Sequence, residues 1–294
     1  MGLKIGLIGL DTSHVEIFSK LLYENKDNMY GNAKVVIGYP CPSPDITLSY
    51  SRVAEYTTIL QNEYDVEIAR SIKEVAHESD AIFITAMDGR KHADIFKKLI
   101  DYKKPVFIDK PFSITGQDAE KIFSWSDKYN TPVMSSSALR FSDSLTTLLQ
   151  NELETPTGVY LNGPLPFIKH IPYYSWYGIH MVEMLVTIFG PDYRSVFAHG
   201  NEDSDIIIAD WKDGRFGVIR GTHIWHSKFE VIIHYPNKTV HLPIYKDEKS
   251  YYALLLEEVI AFCQSGLSPI PKQETLSIIK FIEEANTQRA IVDS

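Results

Sequence analysis

The chain has 294 residues, 44% of them apolar and 23% charged. That is the composition of a folded globular protein and excludes disorder or a collagen-like repeat. At a typical domain size of about 150 residues the length asks for two domains. A formal net charge of −9, from 29 basic and 38 acidic residues, excludes nucleic acid and anionic membrane surfaces as natural partners, because both must be met by clustered Lys and Arg.

The chain contains 2 cysteines, Cys41 and Cys263, far apart and outside any Cys-x-x-Cys or Cys/His cluster. Both read as ordinary thiols in a reducing compartment. No apolar run approaches the ~18–20 residues that span a bilayer. The apolar stretch after Lys4 stops at Asp11, too short for a signal-peptide core. Gly2 lacks the Ser or Thr that a myristoylation motif wants at position 6, where Gly6 stands. The expected location is cytoplasmic.

In chain order, Lys4–Leu10, Ala33–Gly38, Val66–Ala69, Ala81–Thr85, Pro105–Ile108 and Pro132–Ser135 read as strands without polar alternation, hence buried on both faces. Helix-like stretches near 14–24, 50–62, 71–78, 89–101 and 115–129 separate them. Strand–helix–strand repetition predicts a doubly wound parallel sheet of the Rossmann type over residues 1–137. After that the texture changes. Val159–Asn162, Ser195–His199, Asp205–Trp211, Arg215–Gly221, Ser227–Tyr235 and Lys238–Pro243 follow one another across turn signals such as Asp213-Gly214 and Pro236-Asn237. They predict a mainly antiparallel open sheet. Helices are expected at 173–189, Tyr252–Cys263 and Gln273–Arg289. Residues 138–294 therefore read as an α+β domain for substrate and oligomerisation, and the fold class as α/β.

Ligands of a doubly wound sheet bind at the carboxyl ends of its strands. The first such turn runs Gly9-Leu10-Asp11-Thr12-Ser13-His14. A dinucleotide fingerprint wants Gly-x-Gly-x-x-Gly, and only the first glycine is present. Asp11 puts a side chain and a negative charge where a pyrophosphate approaches the backbone, which predicts weak dinucleotide affinity and a gain on Asp11→Gly. Ser13-His14-Val15-Glu16 also fits a capping box, which needs no anion. Alternatively, Thr12 and Ser13 donate hydroxyls to a phosphate. The second strand ends Gly38-Tyr39-Pro40, without the acidic residue that holds a ribose; Asp45 lies a little beyond, and no Arg is close in sequence. NAD and NADP both stay open.

Pro105-Val106-Phe107-Ile108-Asp109-Lys110-Pro111 presents a charged pair at the carboxyl end of a strand that Pro111 stops. Four further segments accompany it: Ala81 through Thr85 to His92 and on to Lys103-Lys104-Pro105; Ala138-Leu139-Arg140-Phe141; Tyr177-Gly178-Ile179-His180-Met181-Val182-Glu183 with Phe189-Gly190; and the tail from Glu257 through Gly266, Pro269 and Pro271 to Ala285. In this order and spacing the chain resembles the Gfo/Idh/MocA oxidoreductase family (glucose–fructose oxidoreductase, inositol dehydrogenase and relatives). Asp109-Lys110-Pro111 is similar to its Glu-Lys-Pro motif, and Gly178 to Glu183 to its Gly-x-His-x-x-Asp helix.

The resemblance implies an NAD(P)-dependent oxidoreductase acting on a sugar, polyol or related small hydroxyl or carbonyl compound. It places Gly9, Leu10, Asp11, Thr12, Ser13, Thr85, Ala86, Met87, His92, Asp109, Lys110 and Arg140 toward the cofactor. It makes Lys110, His180 and Tyr177 catalytic, with Trp176 joining them around the substrate. It also implies a homodimer or homotetramer through the C-terminal sheet. In the family an Asp four residues before the His works with the Lys and the His; here that position is Trp176. His180, with an ordinary pKa near 6.5, suits a proton acceptor, and Lys110 a hydrogen-bond donor to the developing oxyanion. Tyr173, Tyr174 and Tyr177 are candidate hydroxyl donors, though aromatics at helical spacing usually pack; Tyr173 reads as packing and Tyr177 stays open. Trp225 is a candidate for stacking on a sugar. The alternative is a degenerate relative that binds a small ligand or partner without hydride transfer.

His14, His92, His170, His180, His223, His226 and His234 invite a metal reading, but no His-Glu-x-x-His or Cys cluster appears, and no metal site is expected. His223 and His226 read as strand residues facing opposite ways. No Gly-x-Ser-x-Gly elbow occurs, and Ser135-Ser136-Ser137 reads as a polar lining at a strand end.

Overall fold

The computed structural model describes residues 2–292. Met1, Asp293 and Ser294, at the outer ends of the two expected domains, lie outside the described residues. The chain divides into two compact units. One runs up to Ser136 and also includes Leu255–Pro271; the other comprises Ser137–Leu254 and the chain from Lys272 onward. The pattern reading puts 255–271 with the second half, whereas the structure packs them with the first.

The first unit is built from β1 (Lys4–Ile8), α1 (His14–Glu24), β2 (Lys34–Tyr39), α2 (Thr47–Tyr64), β3 (Glu67–Ile68), α3 (Ile72–Glu78), β4 (Ala81–Ile84), α4 (His92–Lys97), β5 (Val106–Asp109), α5 (Gly116–Tyr129) and β6 (Val133–Ser136). The strands form one parallel sheet in the order β3-β2-β1-β4-β5-β6, the doubly wound arrangement with its switch point between β1 and β4. Every residue of β4, β5 and β6 is buried, which is why these segments carry no polar alternation. Phe18 of α1 packs edge-on against Phe83 and Phe107, at 6.1 and 6.3 Å between ring centres. Burying such a ring contributes roughly 1.5–3 kcal/mol and seats α1 over β4 and β5. The expected helix at 89–101 resolves into α4 flanked by 3-10 turns at Gly89–Lys91 and Ile100–Tyr102.

Of the two readings left open for Ser13, the capping box does not form. Ser13 is already helical, φ −60° and ψ −18°, and makes no side-chain cap bond. Ser71, which does cap α3, is extended at φ −158° and ψ 158° and accepts from the Glu74 N–H. A capping hydroxyl needs that extended geometry to reach back over the first turn.

The second unit begins with a 3-10 turn, Ala138–Phe141, and α6 (Asp143–Asn151), a helix the pattern reading misses. There follow β7 (Gly158–Pro164), α7 (Tyr173–Trp176), α8 (Gly178–Phe189), β8 (Tyr193–Gly200), β9 (Ser204–Trp211), β10 (Phe216–Thr222), β11 (Glu230–His234), β12 (Thr239–Pro243), α9 (Tyr251–Ser265) and α10 (Lys272–Val292). The strand order is β12-β11-β7-β10-β9-β8. All neighbours are antiparallel except β7 and β10, which run parallel. The α7–α8 excursion carries the chain away after β7, so β7 does not pair with the next strand but sits between β10 and β11.

Helix α8 is buried along all its length except Thr187. It packs on the inner face of this sheet, close enough that a Cβ at Gly217 would stand 2.6 Å from the Leu185 side chain. The outer face carries an in-register stripe: Phe197 opposite Ile208, Ile208 opposite Val218, Val218 opposite Tyr160, and Tyr160 opposite Ile232. Phe197, with Phe216 in the neighbouring row, is more than half exposed.

Candidate active site

The carboxyl edge of the first sheet is laced together at the first turn. Gly9 has φ +96°, and a Cβ there would stand 2.2 Å from the backbone N and Cα of Ala86. Only glycine allows β1 and the segment after β4 to approach so closely. The Gly9 N–H donates to the Tyr39 carbonyl and Leu10 N–H to that of Pro40, at 2.9 and 2.8 Å. Thr85 Oγ1 donates to the Gly9 carbonyl at 2.7 Å.

Asp11 does not present its charge to the turn. It is 1% exposed; Oδ2 accepts from Ser49 Oγ at 2.5 Å and Oδ1 from the Met87 N–H at 3.0 Å. Burial pushes its carboxyl above the ordinary range, against the hydrogen bonds from Ser49 and Met87 and the charge of Lys91. The carboxylate thus joins α2 to the segment after β4. The expected clash of charges with a pyrophosphate is not built into this geometry, because the side chain points inward.

The loop after β2 is clamped to the same segment. Ser43 Oγ donates to Asp88 at 2.6 Å, and Lys91 Nζ donates to the carbonyls of Cys41 and Pro42 at 2.9 and 3.0 Å. Arg90 bridges Asp88 and Asp45, each at 2.8 Å. The sequence neighbourhood of β2 holds no arginine, but the fold brings Arg90 to Asp45. Although burial works the other way, Arg90 and Ser43 hold the Asp88 carboxyl below its ordinary value.

His14, where the fingerprint wants its third glycine, faces β5. It lies one turn before Phe18 and shares its face of α1, with ring centres 5.8 Å apart. Its Nδ1 meets Asp109 Oδ2 at 2.5 Å, both groups buried. Asp109 Oδ1 accepts the Lys110 N–H at 2.9 Å. Burial alone would raise the Asp109 carboxyl; the charge and hydrogen bond of His14, and then Lys110, hold it below the ordinary range. The Lys110 side chain is itself buried, 6% exposed. Burial pushes its amine below the ordinary lysine value, partly opposed by Asp109. The Lys110–Pro111 peptide bond is cis. His92 bridges the carbonyls of Ala86 and Pro111 at 2.7 and 2.8 Å, tying the segment after β4 to the lysine's own loop.

In the second unit the expected helix at 173–189 breaks at Tyr177 into α7 and α8. His180, in the first turn of α8, sets Nδ1 2.7 Å from Ser137 Oγ. Ser137 Oγ accepts the Leu139 N–H at 3.3 Å, and its own N–H donates to Glu183 Oε2 at 2.9 Å. Arg140 faces Glu183 at 3.8 Å and binds Glu274, so within this unit its guanidinium is held by two carboxylates. The rings of Tyr177 and Phe229 stand 5.5 and 5.8 Å from the imidazole. Trp176 is buried at 8% exposure and stacks edge-on to Tyr177.

Tyr174, a candidate hydroxyl donor, is committed elsewhere: its OH donates to buried Asp205 at 2.7 Å, which also accepts from Arg289 Nε at 2.8 Å and meets His223 Nε2 at 3.0 Å. Trp225 lies beyond the end of β10, not in the sheet, and donates its indole N–H to the Tyr177 hydroxyl at 2.8 Å. His223 and His226 are likewise past β10. His226 Nε2 meets Thr222 Oγ1 at 2.9 Å, so their expected strand alternation does not apply. Among the described residues, no group of three or more His, Cys, Asp or Glu could hold a metal ion, and no helix is long and apolar enough to cross a membrane.

Gly9, Leu10, Asp11, Thr85, Ala86, Met87, His92, Asp109 and Lys110 thus meet along one sheet edge, with Thr12 and Ser13 on the same turn; Arg140, Trp176, Tyr177 and His180 belong to the second unit. Sequence reasoning misses Ser49, Ser43, Arg90 and the part Ser137 plays.

A doubly wound sheet with a glycine-pinned first turn and a buried lysine at the end of its fifth strand is a Rossmann domain of the oxidoreductase kind. Residues 4–136, within the first unit, match the family described as "Oxidoreductase family, NAD-binding Rossmann fold". No curated protein sequence matches it. Among solved structures, UDP-N-acetylglucosamine 3-dehydrogenase from Acidithiobacillus ferrooxidans aligns over 100% of both chains with a TM-score of 0.82 at 11% identity. Apo scyllo-inositol dehydrogenase from Lactobacillus casei aligns over 99% of this chain and 96% of its own, with a TM-score of 0.79 at 14% identity. The WlbA dehydrogenase from Bordetella pertussis, solved with NADH and UDP-GlcNAcA, aligns over 99% and 97%, with a TM-score of 0.76 at 13% identity. At these identities the likeness is one of fold.

Proposed function

We propose that the protein is an NAD(P)-dependent oxidoreductase that moves hydride between a nicotinamide and a carbinol or carbonyl carbon of a sugar, polyol or related small molecule. The observation that carries this reading is Lys110: a buried amine at the carboxyl end of β5, with its basicity lowered by burial, on the functional edge of a Rossmann sheet. The first turn fits a dinucleotide. Gly9 supplies the tight approach, Asp11 is turned inward, and the Ser13 hydroxyl makes no cap bond. Thr12 and Ser13 would meet the pyrophosphate, with Leu10, Thr85, Ala86, Met87 and His92 shaping the adjoining wall. The nicotinamide, when bound, supplies the hydride chemistry; the chain orients it and handles the proton. Lys110 of the first unit, backed by Asp109, and His180 and Tyr177 of the second, with Trp176 stacked on Tyr177 and Arg140 near Glu183, are the groups we assign to the reaction. Solved relatives that act on or bind nucleotide-sugar and inositol compounds support the substrate class.

We also infer that a second copy of the chain covers the outer stripe of the C-terminal sheet. A row in which Phe197 and Ile208 are exposed and Val218, Tyr160 and Ile232 half-buried is the kind of patch that assembly buries. One observation favours the rival reading, a ligand-binding relative without hydride transfer: an indole is buried where the family keeps its carboxylate. Turnover of a sugar and polyol panel with oxidised dinucleotide separates the two. Lys110→Ala and His180→Ala are each expected to abolish turnover with the fold intact; turnover retained in both removes the site assignment.

A further inference from the structure

We propose that Arg90 sets this oxidoreductase for the phosphorylated dinucleotide, NADP(H), by binding the 2′-phosphate of its adenosine ribose in exchange for Asp45. This rests on the function proposed above and adds the choice of cofactor, which the sequence leaves open.

In a doubly wound sheet the pyrophosphate lies at the first turn and the adenosine ribose beside the end of β2. The bonds from Gly9 and Leu10 to the carbonyls of Tyr39 and Pro40 fix that edge here. The chain that follows, Cys41 to Asp45, is therefore the segment a ribose would meet. A free 2′-hydroxyl is normally read by a carboxylate at this end. In this chain β2 ends in Tyr39, and the carboxylate of Asp45 is engaged by Arg90. Arg90 comes from the 3-10 turn after β4, Gly89–Lys91, and crosses to the loop after β2.

The two carboxylates of Arg90 hold it in different ways. Toward Asp88 the guanidinium is gripped along one edge: Nε donates to Oδ1 at 2.8 Å and Nη2 to Oδ2 at 2.9 Å. The Arg90 backbone N–H donates to the same Oδ1 at 3.1 Å, and Ser43 Oγ to Oδ2 at 2.6 Å. The Asp88 side chain is 3% exposed, and such a bidentate grip fixes the plane of the guanidinium. Toward Asp45 only Nη2 reaches across, at 2.8 Å, between side chains 37% and 47% exposed. An ion pair this open to water contributes little and exchanges readily. Among the described residues Nη1 makes no hydrogen bond. The outer edge, Nη1 with Nη2, is thus a fork held ready for a phosphate.

Charge favours the exchange. In this clamp the carboxylates of Asp45 and Asp88 balance the cations of Arg90 and Lys91, and Lys91 is kept at the loop by its bonds to the carbonyls of Cys41 and Pro42. Once Asp45 turns to solvent, the remaining three groups present a net positive charge to a phosphate monoester carrying about two negative ones. A ribose hydroxyl is no substitute for a carboxylate on a guanidinium, so NAD(H) gains nothing from Arg90. Every residue of this clamp belongs to the first unit.

The test is calorimetric titration of the full chain with two adenosine fragments that carry no nicotinamide, adenosine 2′,5′-bisphosphate and adenosine 5′-monophosphate. The wild type is expected to bind the bisphosphate about 10–100-fold more tightly. Arg90→Gln should bring the two affinities together by weakening the bisphosphate alone. Arg90→Lys, a point charge without the fork, should fall between. Asp45→Asn, a change at the surface, should strengthen the bisphosphate and leave the monophosphate where it was. Thermal transitions check the fold of each variant; should Arg90→Gln fail to fold, the wild-type preference and Asp45→Asn decide. Equal affinities in the wild type, or a preference that survives Arg90→Gln or shrinks in Asp45→Asn, overturns the proposal. So does a tighter monophosphate that Asp45→Asn weakens, which would give the ribose hydroxyls to Asp45. Failure of the underlying function reads differently: neither fragment binds, and the proposal falls with it.

Discussion

The two units depart in different ways from the motifs the sequence resembles. In the first, polar side chains stand where glycines are expected and are bound locally: Asp11 is held by Ser49 and Met87, and His14 by Asp109. In the second, Trp176 stands where the resemblance implies a carboxylate, and the Ser137 hydroxyl lies 2.7 Å from His180 Nδ1. The lesson is that a departure from a motif is interpretable only with its partner. Asp11 alone reads as a blocked phosphate site; with Ser49 and Met87 it is a staple between two loops. His14 alone reads as a lost close approach; with Asp109 it is a buried hydrogen-bonded pair beside the lysine.

The largest effect that breaks or sharpens this contrast is chemical. Lys110→Met should abolish turnover, a loss of about 10²–10⁴-fold, while leaving the thermal transition near that of the wild type; steady-state rates and calorimetry check both. Next is the buried pair. His14→Ala leaves Asp109 Oδ2 buried without its imidazole partner and is expected to cost about 1–3 kcal/mol, read from urea midpoints. Asp109 titrates below the ordinary range when folded. The pair's contribution is therefore complete above that range and is lost as pH falls through the folded value, so the gap between wild type and His14→Ala should close in acid.

A loss of similar size tests the second unit. Tyr174→Phe removes one donor from buried Asp205 and should cost about 1.5–3 kcal/mol. The smallest change concerns Asp11. Its raised value means that the folded state keeps a proton the unfolded chain has already lost, so stability falls as pH rises from the ordinary carboxylate value to the raised one. Asp11→Asn, which keeps an acceptor for Met87, should remove that slope. Asp11→Gly should lose about 1–3 kcal/mol by orphaning the Met87 N–H, with no gain in dinucleotide affinity. Stability measured across pH distinguishes these from a carboxylate that faces solvent.

Much of the architecture was legible because local rules coincide with it. Buried strands without alternation mark the first sheet, and α1 falls on the residues expected, His14–Glu24. What stayed hidden is long-range. Asp11 and Ser49 are 38 residues apart, Asp45 and Arg90 are 45, and His14 and Asp109 are 95; no periodicity links such positions. The central place of β7 was hidden for the same reason, since pairing with β10 and β11 follows from tertiary closure. Lys110 was legible because Pro111 stops the strand at it. Ser137 was visible as a polar strand end, but its bond to His180 needed the fold.

The central claim, that this Rossmann unit serves a nicotinamide cofactor, is tested most directly by titrating the wild-type protein with NADH and NADPH and following nicotinamide fluorescence, with thermal shifts for the oxidised forms. Saturable binding of at least one dinucleotide is predicted. Absence of binding by all four up to millimolar concentration would contradict it.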